Sequence, residues 1–596
     1  MKIHSLLAVS AAVMFACAAQ AQVKIDDYKP ISNEQILKPA DGDWPSWRRT
    51  IDNQGYSPLN QVNKKNVKQL DLAWAWSMPI GGLQETAPLV HDGIMFLGMN
   101  RAHVQALDAT TGDLIWEYTQ SLPKFTGGYH DAQANRQRNS LALYEDKVYL
   151  TTPDAKLVAL EAKTGKKLWE VQVNEWEKGY SFTAGPLVVD GKVFTGTSGC
   201  SITGTAGGCY ITAHDAATGK ELWRLNTIGD PAVDDSWGGL AKENRWGGSP
   251  WITGSYDPKR KMLFWGVGMP IPYPSVLRGS GDGDALYTSS TLAIDAETGK
   301  VKWHYQHMPN DDWDLDSPFE RVLVESQIAP SKGEVAYMSK DVEPGKKYDV
   351  IASVPGKYGT AFVLDRDTGK LLWARDTVYQ NVIKGFTEDG KVITNTDLKA
   401  KSIDETVKVC GGRDLGKLWM ASAYSPLTNA LYVPVSSSCK ELTPKPIELR
   451  TGESVGAQAS GAVSFAPGED SVGRVYAVDV KTGKFLWVQK QKPIFSSGVL
   501  TTGGGLVFTG DSMREFAAYD QNNGDKLWSI RLNTSVGGFP MTYSVNGKQY
   551  VAVVTGPNAQ TPPAAILSPE LKNVVDSGHS VFVFALDDVK AGNGKK

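Results

Sequence analysis

The sequence lacks both a strong excess of charge and, beyond its first residues, any long apolar run. Its formal net charge is −3 over 596 residues. A chain so nearly neutral, with both signs spread along it, has no basic patch for nucleic acid and no acidic tail. No later apolar stretch approaches the roughly 20 residues of a membrane-spanning helix. These absences argue against nucleic-acid-binding proteins and against proteins anchored by membrane helices.

The one apolar run lies at the N-terminus and has the pattern of an export signal. A lysine at position 2 precedes the run from Leu6 to Ala16, which is too short to span a bilayer, and Ala19-Gln20-Ala21 supplies small residues for cleavage. The sequence therefore predicts a signal peptide over residues 1–21 and a mature, soluble periplasmic chain over 22–596.

Cysteine is scarce, with five in the whole chain. Cys17 lies in the signal segment, where a lipoprotein site is the weaker alternative because the preceding residues match that pattern poorly. The even number that remains predicts two disulfides in an oxidising compartment, most simply between sequence neighbours, Cys200–Cys209 and Cys410–Cys439. The absence of Cys-x-x-Cys spacing argues against a cysteine metal site, and the absence of Cys-x-x-Cys-His argues against covalently attached haem.

What the chain does contain is a turn repeated seven times. In its full form, Asp-x-x-Thr-Gly joins an alternating strand to a second strand that carries a tryptophan. The aspartate can accept from backbone N–H groups two residues on, and the glycine supplies the positive φ that closes a hairpin. The copies end at Trp116, Trp169, Trp223, Trp303, Trp373, Trp487 and Trp528.

Such hairpins cannot bury their apolar faces alone, so the units must stack. The gap of 114 residues between Trp373 and Trp487 is wide enough for two units, with a degenerate hairpin at 423–432. The sequence thus predicts an all-β fold, an eight-bladed β-propeller in a single domain over 22–596. Strand 580–586 is expected to pair with the strand of Trp74 and close the ring, since closure removes exposed edges. Insertions at roughly 121–140, 225–250, 268–288, 320–350, 375–415 and 440–470 are predicted to be irregular and to form the site.

The repeated turn resembles the tryptophan-docking motif of the pyrroloquinoline-quinone (PQQ) dependent alcohol dehydrogenases. Further similar segments span nearly the whole mature chain, including Trp44-Pro45-Ser46-Trp47-Arg48, Asp311-Asp312-Trp313-Asp314 and Gly538-Phe539-Pro540-Met541. The resemblance implies a periplasmic enzyme that oxidises a primary or secondary alcohol. It also implies PQQ as cofactor and a separate soluble cytochrome c or similar electron acceptor.

The resemblance also implies roles for individual residues. Asp314 matches the catalytic base, Trp251 the aromatic floor beneath PQQ, and Lys357 the cation at the quinone oxygens. A solvated acidic turn, a core tryptophan and a surface lysine are the respective alternatives. The positions that match contacts to the PQQ carboxylates are Glu85, Arg138, Thr183, Ser198 and Gly199, with Arg138 requiring a one-residue slip.

The metal site departs from the family. Ser201 and Met269 stand where a glutamate and an asparagine ligand are expected, and Ser496 and Leu418 replace a tryptophan and an asparagine that contact the cofactor. Asp316 adds a carboxylate two residues after Asp314. In an extended segment both would face one ion, so Asp314, Asp316 and PQQ are expected to bind Ca²⁺ or a lanthanide weakly. The alternative is that Lys357 supplies the only positive charge.

Two functions of different classes are compatible with these residues. The first is the PQQ-dependent dehydrogenase, favoured by Asp314, Lys357 and Trp251 together. The second is a non-catalytic propeller that binds other proteins, favoured by the losses at Ser201 and Met269. No vicinal Cys-Cys pair occurs near residues 128–138, and Cys200–Cys209, directly after Ser198-Gly199, is the candidate to take its place beside the cofactor.

Overall fold

The structure, a computed structural model, describes residues 25–125, 134–135, 141–412, 414–447, 453–557, 561–570 and 577–587. Eight antiparallel sheets of four main strands follow one another along these residues. They are numbered here as blades 1 to 8. The eighth contains strands from both ends of the chain, so the predicted eight-bladed β-propeller is confirmed.

The blades have the following strands, in chain order within each blade. Blade 1 consists of Leu89–His91, Ile94–Met99, His103–Asp108 and Leu114–Thr119. Blade 2 consists of Leu141–Tyr144, Lys147–Thr151, Lys156–Glu161 and Lys167–Gln172. Blade 3 consists of Leu187–Val189, Lys192–Gly196, Tyr210–Asp215 and Glu221–Asn226. Blade 4 consists of Ser255–Asp257, Met262–Gly266, Ser290–Asp295 and Val301–Gln306.

The second half continues the same pattern. Blade 5 consists of Val322–Gln327, Lys347–Ser353, Thr360–Asp365 and Leu371–Asp376, with Tyr337–Met338 added at the edge. Blade 6 consists of Ala423–Ser425, Ala430–Ser436, Gly473–Asp479 and Phe485–Gln491. Blade 7 consists of Leu500–Thr502, Leu506–Gly510, Glu515–Asp520 and Lys526–Arg531, with Tyr56–Ser57 added in parallel. Blade 8 consists of Leu70–Ser77, Met541–Val545, Lys548–Thr555 and Ser580–Leu586.

The ring closes through blade 8, as predicted. Leu70–Ser77 pairs antiparallel with Ser580–Leu586 along its whole length. The position of the eighth blade was predicted wrongly, however. The hairpin at 423–432 is the first half of the blade that ends at Trp487, and it is not an additional unit. The eighth tryptophan strand is the N-terminal one, which carries Trp74.

The repeated turns adopt the predicted geometry. In blade 1 the Asp108 carboxylate accepts from the backbone N–H of Thr110 at 2.7 Å, and Asp295 accepts from Glu297 N–H at 3.1 Å in blade 4. The seven turn glycines all have φ between 69° and 81°, a region that only glycine adopts freely. They are Gly112, Gly165, Gly219, Gly299, Gly369, Gly483 and Gly524.

These turns join neighbouring blades through the tryptophans. The indole N–H of a blade donates to the carbonyl that follows the first acidic residue of the next blade's turn, at 2.9–3.2 Å in six places. The ring also lies against the turn glycine: a Cβ added to Gly299 would lie 2.6 Å from Trp223 Cε3. The six donors are Trp74, Trp116, Trp223, Trp303, Trp373 and Trp487.

The insertions contain more regular structure than expected. Val407–Cys410, Cys439–Pro444 and Gln458–Ser464 form a three-stranded sheet, and Ile383–Phe386 pairs with Val392–Thr394. Trp246–Gly247 pairs with Pro270–Ile271 in the same way. The range 320–350 was also assigned wrongly, because it contains the first strand of blade 5. Both predicted disulfides are present, and Cys410–Cys439 joins two strands of the three-stranded sheet.

Among the residues that the structure describes, helices are few and short. The α-helices are Asn33–Leu37, Ser275–Arg278 and Thr561–Leu567. The 3-10 helices are Ile25–Asp27, Val67–Gln69, Asn100–Ala102, Trp176–Lys178, Thr203–Thr205, Pro231–Trp237, Lys242–Asn244 and Thr396–Leu398. Within the residues described, no helix has the length and apolar character needed to cross a membrane.

Candidate active site

The centre of the site is an ion pair between two aspartates and one lysine. Lys357 Nζ donates to Asp314 Oδ1 at 2.8 Å and to the Asp314 carbonyl at 2.9 Å. Its distance to Asp316 Oδ2 is 3.5 Å. All three residues are less than one tenth exposed. The insertion after blade 4 and the insertion before the third strand of blade 5 thus bring together the predicted base, cation and second carboxylate.

The backbone of this segment differs from the prediction. Asp314 has φ 63° and Asp316 has φ 31°, so the segment is left-handed and not extended. Both carboxylates nevertheless face the same lysine. Burial raises the pKa of Asp316 to about 6; Lys357 opposes this rise and the charge of Asp314 adds to it.

A third aspartate lies beneath this pair. Asp311 is fully buried, and its two carboxylate oxygens accept from the backbone N–H groups of Trp313 and Leu315, each at 2.9 Å. Burial raises the pKa of Asp311 to about 7, with the charges of Asp314 and Asp316 adding to the effect.

The predicted aromatic floor adjoins the ion pair. Trp251 is half-buried and its side chain hydrogen-bonds Asp316. Beneath it, Phe319 meets the indole edge-on at a centroid distance of 5.6 Å. Phe319 in turn lies 5.1 Å from Lys417 Nζ, which is fully buried and ion-paired with Glu320 at 3.1 Å. The indole therefore rests on an aromatic and ionic base that fixes its position.

Two of the predicted cofactor contacts lie beside this floor. The hydroxyl oxygens of Thr183 and Ser198 are 2.9 Å apart, and Thr183 Oγ1 donates to the Trp251 carbonyl at 3.4 Å. Gly199 has φ 88°, and a Cβ there would lie 2.1 Å from the Gly179 carbonyl oxygen. The Cys200–Cys209 disulfide follows at once and encloses the loop that ends this segment.

The remaining predicted contacts are less closely connected. Glu85 is fully buried where blades 8 and 1 meet. The next residue, Thr86, joins the two blades, because its carbonyl accepts from the Phe539 N–H at 2.9 Å. Ala87 and Phe539 belong to the apolar cluster against which Trp251 packs. Arg138 lies outside the described residues, as does the predicted signal peptide 1–21.

The expected metal ligands are absent from their positions, as the sequence indicates. The Ser201 carbonyl accepts from Val455 N–H at 2.8 Å. Met269 reaches Asp316 Oδ1 only through its backbone N–H, at 3.4 Å. In the part of the chain that the structure describes, no three His, Cys, Asp or Glu side chains converge as a metal site. Because Ca²⁺ prefers six to eight oxygen ligands, the protein's own donors do not complete a site.

The sequence did not single out Lys417, Glu320 or Asp311. Lysine and glutamate are rarely buried, so neither would be assigned to a core without its partner in view. The only signal was position, since Ser317-Pro318-Phe319-Glu320 follows Asp316 directly. The buried Lys417–Glu320 pair appears only when blades 5 and 6 are placed side by side.

Comparison with known families gives a match to the model described as PQQ: Glucose/ethanol/alcohol dehydrogenase, beta-propeller domain, over residues 44–385 and 473–551. The chain is 33% identical over 573 residues to the quinohemoprotein alcohol dehydrogenase ADH-IIG of Pseudomonas putida, covering 91% of this chain and 75% of that protein. It is 32% identical over 583 residues to the quinoprotein alcohol dehydrogenase PedH of P. putida, covering 92% and 91%.

Solved structures agree. A europium-containing methanol dehydrogenase superposes with a TM-score of 0.82 at 28% identity, covering 93% of this chain and all of that one. The quinohemoprotein alcohol dehydrogenase of Comamonas testosteroni also gives 0.82, at 29% identity, covering 93% and 82%. The matched residues make up well over half of the chain, and they include blades 1 to 5, blade 7 and the segments that carry Trp251, Asp314 and Lys357. The chain therefore belongs to the PQQ-dependent glucose/ethanol/alcohol dehydrogenase β-propeller family.

Proposed function

We propose that this protein is a PQQ-dependent dehydrogenase that oxidises an alcohol to an aldehyde or ketone. The observation that carries the proposal is the buried contact of Lys357 Nζ with Asp314 Oδ1 at 2.8 Å, next to the half-buried indole of Trp251. A propeller that only binds other proteins has no use for a buried base, a buried cation and a partly open aromatic face in one place.

The residues fit a planar, tricarboxylated quinone. Trp251 offers a flat surface held from beneath by Phe319, and Lys357 offers an ammonium group for the quinone oxygens. The hydroxyls of Thr183 and Ser198 lie together beside the floor and can donate to carboxylates. We propose Glu85, Gly199 and Arg138 as further contacts, on the resemblance described above.

PQQ, when bound, supplies the two-electron acceptor for the reaction. Asp314 is proposed to take the hydroxyl proton of the alcohol at its carboxylate. Lys357 holds that carboxylate in place by bonding both its Oδ1 and its backbone carbonyl. The low exposure of all three charged side chains excludes bulk water, which strengthens the electrostatic interactions among them.

We further propose that a Ca²⁺ or lanthanide ion binds beside Asp314 and Asp316. The two carboxylates supply oxygen ligands of the type such ions prefer, but no third carboxylate of the described residues converges with them, since the oxygens of Asp311 are bound to the Trp313 and Leu315 amides. The cofactor and water would have to complete the coordination, so the affinity should be lower than in a site with four protein ligands. The ion would add positive charge where negative charge develops.

Two further proposals concern the cell. The electron acceptor is proposed, on the family resemblance, to be a separate soluble cytochrome c or similar protein. The location is the periplasm, on the pattern of residues 1–21, with residues 22–596 forming a single catalytic domain. Cell fractionation and N-terminal sequencing of the purified protein test the location and the cleavage site.

The decisive test is turnover of the protein loaded with PQQ and either Ca²⁺ or a lanthanide, using a panel of alcohols and an electron-accepting dye. Asp314→Asn is nearly isosteric, so PQQ should still bind and quench tryptophan fluorescence. Turnover should fall by about 10²–10⁴, the usual contribution of a positioned base. Asp295→Asn, in the turn of blade 4 away from the site, is the matched control and should remain active.

A fully active Asp314→Asn variant would remove Asp314 from the role of base. Loaded wild-type protein that binds PQQ and oxidises no alcohol would favour the non-catalytic propeller instead.

A further inference from the structure

The backbone at Asp314 adopts a conformation that needs external support. Its φ of 63° is in the left-handed region, which residues other than glycine enter infrequently. This conformation turns both the Asp314 carbonyl and its carboxylate toward Lys357 Nζ, at 2.9 and 2.8 Å. Backbone in such regions persists when its surroundings over-determine it.

The support comes from the carboxylate of Asp311. One oxygen accepts from Trp313 N–H, on the N-terminal side of Asp314, and the other accepts from Leu315 N–H, on its C-terminal side. Both distances are 2.9 Å. A single buried carboxylate therefore fixes the amides on either side of the residue proposed as base.

Asp311 is itself held by neighbouring elements. Its carbonyl accepts from Arg278 Nη1 at 3.1 Å, at the end of the helix Ser275–Arg278. Asp312 Oδ1 accepts from Ser275 N–H at 2.7 Å, at the start of the same helix. Trp313 is fully buried and its indole donates to the Leu398 carbonyl at 2.9 Å. The Asp311 carboxylate and the two amides that it binds are called the clamp below. The contacts that hold this clamp come from two insertions that lie outside the blades.

We propose that Asp311 is a positioning residue that holds Asp314 in its reactive orientation by binding the amides of Trp313 and Leu315. The proposal rests on the proposed role of Asp314 as base. Asp311 acts through the backbone and touches neither substrate nor cofactor. Misplacement of a reacting group by about 1 Å costs roughly 10²-fold in rate, so a loosened clamp should reduce turnover while leaving the binding surfaces intact.

The first variant is Asp311→Asn, which keeps one acceptor oxygen and presents an NH₂ group to the second amide. In the PQQ-loaded enzyme we expect kcat to fall about 10- to 100-fold. We expect KM for the alcohol and the Kd for PQQ, measured by tryptophan fluorescence, to stay within about threefold of wild type. Asp311→Ser has one oxygen on a shorter side chain in place of the two carboxylate oxygens, so it cannot hold both amides in the same way. It should behave like Asp311→Asn and decides the question if that variant does not fold.

The second readout does not depend on turnover. Hydrogen exchange of the segment 310–316 in the protein without cofactor should be about tenfold faster in Asp311→Asn than in wild type. Asp295→Asn is the matched control, because Asp295 makes the same kind of turn with Glu297 and Thr298 N–H in blade 4, away from the site. It should leave kcat and the exchange of 310–316 unchanged.

The outcomes separate the two proposals. A kcat of Asp311→Asn within twofold of wild type, or unchanged exchange at 310–316, overturns the clamp. A loss of PQQ affinity in proportion to kcat also overturns it, because that result describes a general structural role. If Asp314→Asn is fully active in the same assay, the base assignment fails first; if Asp314→Asn is inactive and Asp311→Asn is normal, only the clamp fails.

Discussion

At the scale of single residues, the site is defined by charges that have little access to water. Asp314, Asp316 and Lys357 are between 3% and 8% exposed, and two carboxylates share one ammonium group. Burial of an ion without full compensation is costly, so a further positive charge near Asp316 would be stabilising. The raised pKa of Asp316 is the other response to the same imbalance.

This imbalance leads to a prediction for the metal. Chelation of the PQQ-loaded enzyme should lower turnover, and Ca²⁺ or a lanthanide should restore it, because the added ion neutralises the second carboxylate. Asp316→Ala should raise the half-saturating ion concentration by at least about tenfold, since ligand charge sets the affinity of such sites. Metal titration followed by dye reduction measures both effects.

Asp295→Asn serves as the control for this titration, because Asp295 lies in the turn of blade 4, where it accepts from the Glu297 N–H. If chelation leaves turnover unchanged and Asp316→Ala titrates like wild type, the ion plays no part and Lys357 supplies the positive charge alone.

The sequence predicted a useful part of this site. Asp314, Lys357 and Trp251 were assigned from a family resemblance, and the structure brings them together. The shared orientation of Asp314 and Asp316 was expected from an extended strand, whereas it arises from left-handed backbone. That conformation depends on Asp311 and on the helix Ser275–Arg278, which lie in insertions whose course no local pattern determines.

At the scale of the secondary-structure element, the repeated hairpin carries the stability of the fold. Its glycine has two separate functions: it adopts a positive φ, and it leaves room for the tryptophan of the preceding blade. At Gly299 the φ is 70° and a Cβ would lie 2.6 Å from the ring of Trp223. Gly191, in the first hairpin of blade 3, has the same φ of 70° with nothing within 4 Å of the added Cβ.

The pair separates these two functions. Gly191→Ala should cost about 1–2 kcal/mol in the free energy of unfolding, from the left-handed backbone alone. Gly299→Ala should cost a further 1–3 kcal/mol or so, because the methyl group overlaps the indole. Urea denaturation of the two variants measures the difference. Equal losses would show that the close contact between turn and tryptophan contributes nothing.

The hairpins were predictable because their information is local: an acidic residue, a glycine and a tryptophan at fixed spacing. The inserted sheet of Val407–Cys410, Cys439–Pro444 and Gln458–Ser464 was not predicted. Its strands are separated by long loops, and its first strand pairs across 29 residues, where the Cys410–Cys439 disulfide joins them. The sequence supported the disulfide from cysteine number but contained no periodic pattern for the sheet.

At the scale of the whole molecule, eight blades form one closed ring. Trp74 in blade 8 donates to the Ala109 carbonyl of blade 1 at 3.2 Å, in the same way as Trp223 of blade 3 donates to Ala296 of blade 4 at 3.0 Å. The contact at the closure is therefore equivalent to a contact within the array. The count of eight was predicted, but the eighth unit was placed between Trp373 and Trp487, because the Trp74 strand follows no Asp-x-x-Thr-Gly turn and was not counted as a repeat.

Equivalence of the contacts can be measured. Trp74 and Trp116 are both buried, and Trp116 makes the equivalent contact within the array, donating to the Ala162 carbonyl of blade 2 at 2.9 Å. Trp74→Ala and Trp116→Ala should each lower the free energy of unfolding by about 3–5 kcal/mol, the usual cost of truncating a buried tryptophan. Both variants should unfold in a single transition at similar urea concentrations, followed by circular dichroism and fluorescence. A separate early transition in Trp74→Ala alone would show that the closing blade opens independently of the rest.

The pairing of Leu70–Ser77 with Ser580–Leu586 also sets an order of events in time. The strand that completes blade 8 leaves the ribosome after the main strands of blades 1 to 7, whereas its partner leaves before them. During synthesis the early strand waits without its neighbour, and the apolar residues of Ser580–Leu586 that will cover it do not yet exist. The native contacts of the ring therefore cannot be complete until this single seven-residue segment has been synthesised.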